Sequence, residues 1–231
     1  MKFPDQQPTV LGSIITGAGL RLLARETSAA DAIEVRVDAL LAEKVPVEKI
    51  EAALKSRQRP VLLTVRIPKE GGQLHMPVVK RRALYLQLLP HVEAIDVELA
   101  TMKAMAPIVA EARRTGKTVV LSAHAIAKPA TLAHFARWVK QFDAAPRTIL
   151  KVAAQIKNWR DLQQLAALIV NHPEWPVAVM GLGPYASQSR LVLAALGSRL
   201  VYGYLDQPAA PGQPSAAEVR KMVLAVRNLD G

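Results

Sequence analysis

Cysteine is absent from the 231-residue chain, and with it any disulfide framework, thiolate nucleophile or cysteine-ligated zinc or iron–sulfur site. A reducing, cytoplasmic setting is the expectation. Aromatic residues make up only 4%, too few for the stacking surfaces that nucleic-acid binders interleave with their basic groups. Acidic side chains are also scarce, 19 against 30 Lys and Arg, so the net charge is +11. Without aromatics beside it, that field is read as drawing in a small anionic substrate, with no nucleic-acid partner. The densest basic runs, Lys80-Arg81-Arg82 and Arg113-Arg114, fall in helical patterns and are expected on solvated faces. No apolar run approaches the roughly 18 residues of a membrane span, and MKFPDQQPTV lacks the basic-then-apolar layout of a signal peptide. No membrane partner is expected. A Gly-rich phosphate loop is missing too, because GSIITGAG at 12–19 has neither G-x-G-x-x-G nor a Walker lysine.

What the chain does have is a steady recurrence of short apolar runs: Val10–Ile15, Ile33–Val37, Val61–Val65, Ala94–Leu99, Thr118–Ser122, Thr148–Val152, Val177–Met180 and Arg199–Gly203. From Ile33 to Arg199 the six intervals average about 28 residues, the pace of one βα unit. Between the runs the period turns helical. Leu132, Phe135, Val139 and Phe142 form one stripe, and Val219, Met222, Val223 and Val226 form another behind the capping box Ser215-x-x-Glu218. No linker or repeat divides the chain. The expectation is an α/β protein, a single (β/α)₈ TIM-barrel domain over residues 1–231, with a doubly wound sheet as runner-up.

A parallel strand covered on both faces should be nearly all apolar, so charges at period-2 positions are costly unless they line a site. Glu34, Arg36 and Asp38 share one face of the second run, opposite Ile33, Val35 and Val37. Thr64 and Arg66 close the third, followed by Glu70-Gly71-Gly72; Asp96 and Glu98 alternate in the fourth; Ser122 and His124 end the fifth; Lys151 interrupts the sixth. In a barrel all of these point inward near the C-terminal strand ends, where such folds build active sites. Flanked by Ile149, Leu150 and Val152, Lys151 is expected to be desolvated. Burial and neighbouring cations favour a neutral amine, the form that attacks a ketone to give a Schiff base. His124 lies one strand before it, within reach of a carbon next to such an imine. The inward set shows no His-plus-carboxylate cluster at metal-ligand spacing.

Eight blocks in order, EVRVD (34–38), TVRIPKEGG (64–72), IDVEL (95–99), SAH (122–124), KVA (151–153), MG…SR (180–190), GS (197–198) and APGQ (210–213), make the sequence similar to the type I 3-dehydroquinate dehydratases, Schiff-base enzymes of the shikimate pathway. The resemblance implies a homodimeric (β/α)₈ barrel that converts 3-dehydroquinate to 3-dehydroshikimate with no metal or organic cofactor. It implies Lys151 as imine lysine, His124 as general base and acid, and Glu70 as the group orienting His124. Glu34, Arg36 and Arg66 would bind the substrate hydroxyls, and Arg190 with Gln213 its carboxylate. The chain departs from the family pattern at Ala209, where Ser is usual, at Ala125 and Ile126 after His124, and in a 180–190 segment two residues longer than usual. The alternatives are an aldolase-like enzyme or drifted homologue acting on another keto acid, and a non-catalytic binding or regulatory protein.

Overall fold

The computed structural model describes residues 1–5, 8–210 and 212–227; Pro211 of the APGQ block and the last four residues lie outside them. Eight parallel strands follow one another in space as in sequence: β1 (Thr9–Ile14), β2 (Ala32–Arg36), β3 (Val61–Thr64), β4 (Ala94–Glu98), β5 (Thr118–Pro129), β6 (Thr148–Gln155), β7 (Val177–Leu182) and β8 (Leu200–Tyr204), with β8 returning to pair with β1. Each overlaps one of the expected apolar runs. The helices are α1 (Val37–Ala42), α2 (Val47–Lys55), α3 (Val78–Leu88), α4 (Met102–Arg114), α5 (Leu132–Gln141), α6 (Trp159–Val170), α7 (Ala186–Ala195) and α8 (Ala216–Arg227). Alternation is not strict, since β1 leads to β2 through a 3₁₀ helix, Gly19–Ala24, while two helices separate β2 from β3.

Strand pleating sorts the side chains into two sets. Ile33, Val35, Leu63, Ile95, Val97, Val119, Leu121, Leu150, Val152, Val177 and Val179 face outward and pack against the helices in the main core. Leu11, Ala32, Leu62, Ala94, Val120, Ile149, Ala178 and Leu200 face inward and fill the lower barrel, with Phe3 buried against them. Above this apolar floor the inward positions become polar, and the site begins there.

Helices α6 and α8 start where a side chain satisfies free N–H groups. The capping box before α8 is formed, with Glu218 N–H bonded to Ser215 Oγ and Ser215 N–H to the Glu218 carboxylate. Asn158 caps α6. In the α5 stripe Phe135 and Phe142 are buried, but Leu132 is exposed because it occupies the first turn, clear of the barrel. The junction of β7 and β8 lacks a regular ladder among the described residues. Arg199 N–H reaches Val177 O at 2.7 Å, and Ser198 Oγ accepts from Val179 N–H at 2.9 Å across the gap.

Candidate active site

The polar layer is a buried lattice of alternating charge. Lys151, on β6, directs Nζ at Asp96 Oδ2 on β4 (2.9 Å), with Glu34 of β2 at 3.7 Å. Asp96 also takes Arg66 Nη2 at 2.8 Å and Ser122 Oγ at 2.6 Å. Burial alone would raise the Asp96 carboxyl, but the cations Arg66 and Lys151 hold it well below the usual carboxylate range. Glu34 accepts from Ser13 Oγ and Thr64 Oγ1 at 2.8 and 3.0 Å. The Tyr202 ring, from β8, lies 4.2 Å from Lys151 Nζ. Its hydroxyl is buried with no partner among the described residues, and burial, with Glu34 and Asp96, keeps the phenol well above its normal value.

Beside this lattice stands a carboxylate–imidazole pair. β5 continues past Ser122 to place His124, whose Nδ1 lies 2.8 Å from Glu70 Oε2. Glu70 ends a short 3₁₀ turn, Pro68–Glu70, and the backbone must reverse at once. Gly71 does so at φ +92°, a left-handed conformation that costs glycine nothing. Gly72 then passes so close that a Cβ there would lie 2.1 Å from the Arg66 carbonyl oxygen. The Gly71 carbonyl accepts from Arg36 Nη2, and Arg36 forks onto both oxygens of Asp38 at 2.9 and 2.8 Å. Burial pushes the Glu70 carboxyl up to about 7, with Glu98 and Asp96 adding to it against Arg66. Burial together with Arg66 and Lys151 holds His124 well below the ordinary imidazole value, so the ring is neutral.

The third component is a cation with no acid. Arg190, on α7, is 2% exposed and spends its donors on backbone carbonyls, Nε on Tyr202 O and Nη1 on Ala186 O, both at 2.7 Å, and Nη1 more weakly on Gly181 O. No carboxylate pairs with it among the described residues. Burial lowers its guanidinium to about 10, which leaves it charged at neutral pH. Gln213 lines the same cavity, its Oε1 accepting from Ala209 N–H at 2.7 Å. The cavity is bounded by Glu34, Arg66, Glu70, His124, Lys151 and Arg190, and also by Arg36, Gln213 and Ala209. All eight site residues expected from the sequence meet there.

Three expectations need correction. Lys151 is buried as expected, but its nearest charges are the carboxylates of Asp96 and Glu34, not cations. Asp38 does not extend a strand: the helix begins at Val37, because the chain must turn out of the barrel, and Asp38 stays beside Arg36 from the first helical turn. Arg81 is not on a solvated face. It is 2% exposed and pairs with Glu98 at 2.6 Å. The signal was available, because Arg81 precedes Leu84, Tyr85 and Leu88 by three, four and seven residues and so shares the buried stripe of α3. Tyr85 and Ser13 were also missed. The Tyr85 hydroxyl donates to Asp96 O and accepts from Val65 N–H, and nothing in the local sequence marks a hydroxyl for that task.

Comparison with known proteins bears on this geometry. Residues 17–230 match the model of the family described as type I 3-dehydroquinase. A 3-dehydroquinate dehydratase of Pyrobaculum aerophilum is 34% identical over 199 residues, 84% of this chain and 63% of that protein. One from Enterococcus faecalis is 26% identical over 235 residues, covering 95% and 93%. The crystal structure of 3-dehydroquinate dehydratase from Geobacillus kaustophilus superposes with a TM-score of 0.84 at 21% identity, over 98% of this chain and 93% of that one, which supports the barrel fold. Matched along almost its whole length by the family model, and sharing a third of its aligned residues with a relative of that name, the chain belongs to the type I 3-dehydroquinase family.

Proposed function

We infer that this cavity dehydrates 3-dehydroquinate through a Schiff base on Lys151. The observation that carries the reading is one cavity holding a buried lysine, an imidazole held by a carboxylate, and a buried arginine with no acidic partner. An unpaired buried cation is costly unless an anion completes it, and the substrate carboxylate is that anion, with Gln213 beside it. Arg36, Arg66 and Glu34 meet the ring hydroxyls.

In this scheme the Lys151 amine adds to the C3 ketone and, with one proton taken up, the ketone oxygen leaves as water, giving an iminium. The cation acidifies the neighbouring C2–H. His124, with Nδ1–H donated to Glu70, has a free lone pair on Nε2 and removes that proton to give an enamine. The enamine expels the C1 hydroxyl, which departs as water with the proton carried by His124. Water then hydrolyses the iminium, releasing 3-dehydroshikimate, the amine and the proton taken up at the start. No metal or organic cofactor enters. The absence of cysteine fits a cytoplasmic setting, and the family resemblance fits a homodimer.

The test is borohydride reduction in the presence of 3-dehydroquinate, read by peptide mass spectrometry. The expected adduct lies on Lys151, and Lys151→Ala is expected to keep its fold and lose both adduct and turnover. Wild-type-like turnover by Lys151→Ala would overturn the mechanism. A wild-type chain that reduces onto another keto acid and not 3-dehydroquinate would favour the aldolase-like alternative.

A further inference from the structure

Arg81 lies on α3, outside the barrel wall, yet it is continuous with the catalytic lattice. Its Nη2 bonds Glu98 Oε2 at 2.6 Å and its Nε bonds the Val65 carbonyl at 3.1 Å. Glu98, fully buried, turns its other oxygen to Arg66 Nη1 at 3.2 Å and to Ile67 N–H at 3.0 Å. Arg66 Nη2 goes to Asp96, and Asp96 goes to Lys151. An unbroken series of alternating charges therefore runs from a helix to the amine, Arg81, Glu98, Arg66, Asp96, Lys151, with no member more than 4% exposed.

The charges along it decide what Arg81 does. Within the barrel wall Arg66 and Lys151 face Glu34, Asp96 and Glu98, an excess of one negative charge that Arg81 cancels. Glu98 thus has a cation of its own on Oε2, and Arg66 is left to divide its two nitrogens between Glu98 and Asp96. Without Arg81, Glu98 Oε2 would keep only the neutral Thr101 hydroxyl at 3.1 Å, leaving a buried carboxylate whose nearest remaining cation is Arg66, on which its hold would strengthen. Asp96 would lose that share of Arg66 and close on Lys151 alone.

We propose that Arg81 is a positioning residue for imine formation: from outside the barrel it neutralises Glu98, keeps Arg66 on Asp96, and so leaves the Lys151 amine free to reach the substrate ketone. Arg81 is not in the cavity and touches no reacting atom. The proposal rests on the Schiff-base reading above.

The experiment combines steady-state kinetics, rapid-quench borohydride trapping and thermal melts for wild type and three variants. Arg81→Met is expected to slow trapping and lower kcat by about 10- to 100-fold, as a small misplacement of a reacting group does, with KM changed less than about threefold because the anion site at Arg190 is untouched. Arg81→Lys keeps the charge but cannot hold Val65 O and Glu98 together, and is expected to fall in between. It also serves if the methionine variant fails to fold. In Arg81→Met with Glu98→Gln the stranded charge is gone, so trapping and kcat are expected to recover most of the loss. Variants that melt earlier but trap and turn over like wild type, or a double variant no faster than Arg81→Met, would overturn the proposal. A wild-type chain that neither traps nor dehydrates 3-dehydroquinate would instead overturn the functional reading on which it rests.

Discussion

In the proposed mechanism Glu70 and His124 titrate as a pair, and whether they hold one proton or two sets whether the site has a base. With Glu70 ionised it accepts from His124 Nδ1–H, and Nε2 is free. With Glu70 protonated it donates to Nδ1, the ring carries its hydrogen on Nε2, and no proton can be taken from C2. Burial sets the Glu70 carboxyl at about 7, and His124 stays neutral far below that. Raising the pH through 7 therefore creates the active tautomer. The expected kcat/KM profile of the free enzyme rises through about pH 7, and Glu70→Gln, which cannot ionise, is expected to flatten that rise while lowering kcat. An unchanged rise in Glu70→Gln would assign it to another group. His124 was legible as a candidate because an imidazole at an inward strand position is expensive, whereas Glu70, on the turn after β3, was named as its orienting group only through the family resemblance. Arg81 was passed over because a run of three basic residues suggests solvent even where its own spacing with Leu84, Tyr85 and Leu88 points to the core. The cations near Lys151 were credited with favouring its neutral amine because period 2 says which face a charge is on, not which of its neighbours across the barrel comes closest.

The elements differ in how much they show of themselves beforehand. Strands announce themselves as apolar runs, and all eight lie where those runs are, but their ends do not. β5 goes on for seven residues past Ser122, because pairing with β6 continues through Ala125 and resumes at Pro129 beyond a register shift. The short turn at 68–72 was legible only as Glu-Gly-Gly, and the physical reason for the second glycine appears in three dimensions. Its α-carbon runs against the Arg66 and Ile67 backbone, so Glu70, Arg36 and Arg66 are set by the course of one piece of main chain. Gly72→Ala is expected to push this turn outward. The clash is with backbone, which cannot rotate away, and overpacking of this kind costs about 1–3 kcal/mol. The larger effect is expected on kcat, about 100-fold, since Glu70 leaves His124. Circular dichroism melts beside steady-state kinetics would check the order of the two, and a variant with wild-type kcat would show that the turn tolerates a side chain.

For the molecule as a whole, the barrel is joined by ladders at seven strand junctions and by scattered bonds at the eighth, between β7 and β8. Near the floor that eighth junction is held by Ser198 and the Arg199 amide. Near the mouth it is held by Arg190, whose guanidinium reaches Gly181 O on β7 and Tyr202 O on β8. Arg190, the proposed partner of the substrate carboxylate, is therefore also a rivet in the one junction without a regular ladder among the described residues. Anything that binds the closed seam and not the open one stabilises it by mass action, so an anion on Arg190 should tighten the barrel it enters. In hydrogen–deuterium exchange, the Val179 and Arg199 amides are expected to exchange faster than those at the centre of β3 and β4, and to slow when product is added. Equal exchange along every junction, with and without product, would mean the seam does not open. If it does open, recognition of the substrate and completion of the cylinder are one event, and each molecule released loosens the wall again before the next arrives.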